Sequence, residues 1–150
     1  MYRQKLRLAS QLLLTGILTL SLSCSEMDNS FQLEKYRGKW LVINYWAEWC
    51  TPCIKEIPEL NQLQAEYPSQ IAIAAVNFDH LEKQALLNIS KKMGINYEVL
   101  EQDPADILRL ASPAALPTTY IYNPSGELSA KLVGPQSAES ILSYTNIKPE

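Results

Sequence analysis

A chain of 150 residues, 47% of them apolar and 19% charged, fits one domain with a respectable core. Sixteen Asp and Glu outnumber thirteen Lys and Arg, and no basic stripe or arm stands against that balance, which argues against a nucleic-acid partner.

The N-terminus falls outside that domain. Arg3, Lys5 and Arg7 form a basic n-region, and residues 8–22 are mostly apolar. A run of about fifteen residues has the length of a signal-peptide h-region and is shorter than the roughly 20 residues of a spanning helix. Residues 1–23 therefore read as an export signal. Cys24 follows Leu20, Ser21, Leu22 and Ser23, a segment that resembles the lipobox of bacterial lipoproteins. That resemblance implies lipidation of Cys24 as the mature N-terminus, although the pattern's Leu and small residue are replaced by Ser21 and Leu22. Cleavage nearby, with Cys24 removed or free, and an uncleaved signal anchor are the alternatives. All three place the domain outside the cytoplasmic membrane. Residues 24–30 are polar and without periodicity, as a tether would be, and residues 31–150 form the folded body. Residues 1–23 hold three basic and no acidic residues, so the remainder has ten basic against sixteen acidic, a net charge of −6.

Phe31, Gln32 and Leu33 alternate briefly, which predicts an edge strand or extended arm. Arg37, Gly38 and Lys39 make a turn into an apolar run from Trp40 to Tyr45, suited to a buried strand. After it comes Trp46-Ala47-Glu48-Trp49-Cys50-Thr51-Pro52-Cys53, and then Ile54, Ile57, Leu60, Leu63 and Tyr67 at helical spacing. The helix begins near Pro52, where a missing N–H costs nothing. Pro58, inside the pattern, predicts a kink or a split. Residues 71–76 form a second apolar run, and strand, helix, strand in that order implies a parallel crossover. Leu81, Ala85, Leu86, Ile89 and Met93 predict a second helix stopped by Gly94. A short strand at 97–100, a short helix at 104–110 and a loop at 112–117 follow. Residues 118–122, the turn 123–126 and residues 127–133 read as a β-hairpin. Ala138, Ile141, Leu142 and Thr145 offer one face of a terminal helix.

The chemistry sits where the first strand hands over to the first helix. Two cysteines three positions apart close too short a loop to act as a structural staple, so the pair reads as redox-active in an exported chain. Cys50 is the expected nucleophile, because the free N–H groups and dipole of a helix N-terminus stabilise its thiolate. Cys53 then displaces the product thiol from the mixed disulfide. A zinc site would need two ligands beyond the CxxC, and the chain offers only Cys24 and the lone His80. Copper binding by the cysteine pair with His80 is a further alternative.

The cysteine stretch, followed by Lys55, Glu56 and Pro58, resembles the thioredoxin superfamily. The wider setting is similar to the exported TlpA/ResA-like thiol:disulfide oxidoreductases: Gly38-Lys39 before a strand carrying Asn44, Asn77 and Asp79 after the next strand, and Leu116-Pro117-Thr118-Thr119 before the hairpin. The resemblance spans about residues 31–134. It implies an α/β thioredoxin fold in a single domain, with a central mixed sheet flanked by helices. It also implies that Pro117 is the cis-proline of the fold, which would place the Leu116 backbone to pair with an extended substrate segment beside Cys50. Trp49, Thr51, Pro52, Leu116 and Pro117 are the expected substrate contacts, with Trp46 packed beneath the turn. Asn44 stands where thioredoxin has a titrating aspartate, and the exported relatives often carry a glutamate after the CxxC, which Glu56 matches. Cys53 and Glu56 are three apart and share a helix face, so Glu56 is the expected carboxylate assisting Cys53. A solvated first-turn glutamate is the alternative. The reading is then a monomeric, periplasmic, lipid-tethered reductase of protein disulfides, needing no cofactor or metal and supplied by an upstream electron donor. An oxidase or isomerase, a non-catalytic binding module and a copper chaperone are the rival readings.

Overall fold

The computed structural model describes residues 31–148; the signal, Cys24 and the tether lie outside the described residues. Five strands form one mixed sheet in the order β3-β2-β1-β4-β5. β1 (Trp40–Trp46), β2 (Ile71–Asn77) and β3 (Glu98–Leu100) run parallel, whereas β4 (Thr118–Tyr122) is antiparallel to β1, and β5 (Leu128–Val133) is antiparallel to β4. The helices are α1 (Thr51–Glu66), α2 (Lys83–Lys92), α3 (Ala105–Leu108) and α4 (Ala138–Leu142).

The period-2 alternation of β1 builds two cores at once. Val42 and Trp46 join Ile73 and Ala75 of β2 and Ile57, Leu60 and Leu63 of α1 on one face. Leu41, Ile43 and Tyr45 join Tyr36, Tyr120 and Tyr122 on the other. With both faces covered, β1 is buried from Leu41 to Trp46, as the strand with parallel and antiparallel neighbours must be. Leu60 and Leu63 are fully buried, each adding about 2 kcal/mol of apolar transfer.

Two expectations fail. Residues 33–36 form a 3-10 helix, not a strand, because Phe31 and Tyr36 stack at 5.5 Å and close over the tyrosine face. Pro58 does not split the first helix, which runs unbroken from Thr51 to Glu66. Cys53, Glu56, Ile57, Leu60 and Leu63 anchor its inner face, while Pro58 and Ile54, whose carbonyl loses its partner, both lie exposed to water. Gly94, at φ 73°, ends α2 as expected. Among the described residues no helix is long and apolar enough to cross a membrane.

Strand direction gathers the chemistry at one end of the sheet. Trp46 pairs with Asn77, so β1 and β2 finish side by side. Tyr45 pairs with Thr118, which brings the start of β4 to the same edge. The turn before α1, the loop after β2 and the Leu116–Pro117 bond, which is cis, are therefore neighbours.

Candidate active site

Cys50 is the N-cap of α1, and its Sγ accepts the Cys53 N–H at 3.2 Å. A group capping a helix in this way satisfies one of the donors that the first turn leaves free. The geometry that caps the helix also favours negative charge on Cys50 when it is reduced. Cys50 and Cys53 are joined by a disulfide. Cys53 is fully enclosed and Cys50 is 4% exposed, so Cys50 is the cysteine nearer to solvent. Thr51 and Pro52, between them, are exposed.

One turn into α1, Glu56 is only 2% exposed, which rules out the solvated glutamate that the sequence left open. Asn44 lies on the face of β1 that looks toward α1, and its Nδ2 donates to Glu56 Oε1 at 2.7 Å and to Thr119 Oγ1 at 3.3 Å. Thr119 is Asn44's register partner on β4. The Gln136 backbone N–H donates to the second oxygen, Oε2, at 3.0 Å. Burial pushes the Glu56 carboxyl up to about 7, against the two hydrogen bonds, which pull it down. The Tyr97 hydroxyl is buried without a partner, and burial followed by the Glu56 charge raises its pKa. A carboxyl that titrates near neutrality within a turn of a buried thiol can move that thiol's proton.

Around the opening the aromatic groups divide as expected. Trp46 is wholly buried, whereas Trp49 is 64% exposed. The exposed indole is nevertheless fixed: Nε1 donates to both carboxylate oxygens of Asp79, at 3.2 and 3.0 Å, and its ring stands edge-on to Phe78 at 6.3 Å. Leu116 is half-buried and Pro117 buried, with the Pro117 carbonyl taken by the Gly134 N–H at 2.9 Å. His80 lies in the loop after β2 at φ 50°. Among the described residues no group of three or more His, Cys, Asp and Glu is placed to hold a metal ion.

Gln136 and Tyr97 were not legible in the sequence as parts of the site. Gln136 contributes a backbone N–H, which no side-chain pattern marks, and Tyr97 reads in sequence as one more strand aromatic.

Residues 18–131 match the model of the AhpC/TSA family. The chain belongs to that family. Among curated relatives of this AhpC/TSA chain, the thiol-disulfide oxidoreductase ResA of Bacillus subtilis (strain 168) is 33% identical over 120 residues, covering 79% of this chain and 66% of that protein. ResA of Geobacillus kaustophilus (strain HTA426) is 30% identical over 120 residues, covering 79% and 68%. The chain thus spans about two thirds of the length of the curated relatives it matches. Of solved structures, a thiol:disulfide interchange protein of the thioredoxin family from Chlorobium tepidum TLS superposes with a TM-score of 0.59 at 28% identity, over 76% of this chain and 82% of that one. The AhpC/TSA chain therefore has the thioredoxin fold, and the proteins it resembles exchange thiols and disulfides.

Proposed function

We propose that this chain is a thiol:disulfide oxidoreductase that reduces protein disulfides outside the cytoplasmic membrane, tethered by lipid on Cys24 and acting as a monomer. The observation that carries the reading is the Cys50–Cys53 pair at the N-cap of α1, with Cys53 and Glu56 enclosed behind it. In the reduced enzyme the Cys50 thiolate attacks one sulfur of a substrate disulfide, and the other substrate sulfur leaves as a thiolate. Glu56, ionised and held at one oxygen by Asn44 and at the other by the Gln136 N–H, takes the Cys53 proton. The Cys53 thiolate then attacks Cys50 Sγ, the substrate's remaining sulfur departs, and the enzyme is left with its disulfide. Two electrons pass to the substrate, and an upstream thiol donor of the same compartment restores them. Each step uses sulfur and protons alone, so no cofactor enters.

Trp49, Thr51, Pro52, Leu116 and Pro117 are the proposed substrate contacts. The reducing direction rests on the resemblance to the exported TlpA/ResA-like enzymes. The test is Cys53→Ala, which keeps the attacking sulfur and removes the resolving one. The variant accumulates a mixed disulfide with its substrate on Cys50, visible by non-reducing electrophoresis and mass spectrometry. Recovery of the variant with Cys50 free, under conditions where the wild type reduces insulin, overturns the scheme.

A further inference from the structure

A pocket of about 230 Å³ opens at the C-terminal ends of the parallel strands β2 and β3, the end of a parallel sheet at which ligands gather. Val76, Leu81, Leu86 and Leu100 give it apolar walls. Asn77, which also lines it, is 4% exposed. Its Oδ1 accepts the Asp79 N–H at 3.1 Å and the Leu81 N–H at 3.5 Å. That fixes which way the amide points, and its Nδ2 is left buried without a partner. A buried donor that makes no hydrogen bond is costly, so an acceptor supplied from outside is strongly favoured there.

Its other polar lining is His80, Glu101, Gln102 and Asp103, two carboxylates beside one imidazole. Glu101 pairs with Lys83 at 2.6 Å. Asp103 Oδ1 accepts from the Tyr45 hydroxyl at 2.6 Å and from the Ala105 N–H at 2.9 Å, and no Lys or Arg among the described residues pairs with it. Two carboxylates thus face one cation, in a domain whose net charge is already negative. The volume lies below the roughly 300–1,000 Å³ of clefts that hold drug-sized ligands, which fits one side chain and its peptide group. The pocket is also mechanically joined to the redox centre. Its wall, the loop after β2, holds the indole next to Cys50 through Asp79 and Phe78.

We propose that this pocket is a specificity subsite that takes a lysine or arginine side chain of the polypeptide engaged at Cys50. A peptide carbonyl accepts from Asn77 Nδ2, the aliphatic stem lies on the leucines, and the cationic head reaches Asp103 and Glu101. The inference rests on the disulfide-exchange reading and adds to it a preference for basic residues at a fixed spacing from the reacting cysteine.

The test uses the reduced protein and short peptides whose single cysteine carries a 2-nitro-5-thiobenzoate group. Cys50 thiolate attacks the peptide sulfur and expels the coloured thiolate. Cys53 then releases the peptide thiol, so the protein dithiol becomes a disulfide as one substrate disulfide becomes two thiols. One lysine is moved through positions two to six on either side of the cysteine, each peptide being compared with its glutamine twin. At one spacing the lysine peptide has about a fivefold higher kcat/KM, and the ratio falls with added salt. Lys83→Gln, which frees Glu101, increases that ratio, and Glu101→Lys abolishes or inverts it. Equal rates for every pair, a lysine preference independent of spacing, or a ratio untouched by Glu101→Lys each overturns the subsite while leaving disulfide exchange standing. If the reduced wild type releases no colour from any peptide or from a small uncharged disulfide, the disulfide-exchange reading itself falls, and the subsite with it.

Discussion

The sulfur turn and the buried Glu56 carboxyl lie one helical turn apart, yet their surroundings come from different parts of the chain. The contacts around Cys50 itself are local: its N–H donates to the Ala47 carbonyl, it caps α1, its Sγ takes the Cys53 N–H, and its carbonyl takes the Ile54 N–H. Glu56, in contrast, is held by Asn44 from the preceding strand and by the backbone of Gln136, 80 residues away in sequence. The setting of the proposed nucleophile is local and that of the proposed proton acceptor is tertiary. Changes in the turn should therefore abolish chemistry without disturbing the fold, whereas changes around Glu56 should move pH dependence and stability together.

The largest effect follows from removing the sulfur proposed to open the reaction. Cys50→Ser lowers insulin reduction by at least about 10³-fold, since a hydroxyl at the same N-cap has no thiolate to offer. The variant still folds, because serine is itself a favoured N-cap. A Cys50→Ser protein with near wild-type activity would break the assignment of nucleophile.

Glu56→Gln comes next, and it separates the two regions. In the folded chain the Glu56 carboxyl is raised from 4.5 to about 7, so it stays protonated where the unfolded chain has already released its proton. Between those values the folded state binds more protons, and stability falls as pH rises, levelling above about 7. The decline amounts to on the order of 3 kcal/mol for this group. Urea unfolding at pH 4.5 and pH 8 should show a smaller loss in Glu56→Gln than in wild type, the glutamine amide being free to donate to the buried, unpartnered Asn44 Oδ1. The same variant resolves the mixed disulfide about 10²-fold more slowly and without the titration near 7. A wild-type pH–rate profile in Glu56→Gln leaves Glu56 a structural role only.

What was legible follows the same division. Strand, turn and helix around the CxxC are written in contiguous residues, as are the glycine that ends α2 and the hairpin from Thr118 to Val133. The burial of Glu56 was not, since a glutamate in a helix's first turns is ordinarily solvated and favoured by the dipole. Only the register that sets Asn44 beside Thr119, and the return of the chain at Gln136, enclose it. Phe31 and Leu33 misled because alternation over three residues is too short to distinguish a strand from a 3-10 turn that buries Tyr36. The split expected at Pro58 misled because the proline's cost falls on a carbonyl at an exposed residue, where solvent is available to the freed acceptor.

The smallest effect concerns the rim, where the proposed substrate contacts lie. Trp49 is mostly exposed, so Trp49→Ala changes stability by no more than about 0.5 kcal/mol. Its indole, however, is held in place by Asp79 and Phe78, and a rigid exposed aromatic is the kind of group that anchors a partner. Reduction of a protein disulfide should lose about tenfold in kcat/KM, with a smaller loss for a small disulfide that never reaches the indole. Asp79→Asn keeps an acceptor but removes the charge that fixes Nε1, and should produce part of the same loss. Equal losses for large and small disulfides in Trp49→Ala would move Trp49 from substrate contact to support of the sulfur turn, and Asp79 and Phe78, which hold the indole, would then belong to the setting of Cys50 as well.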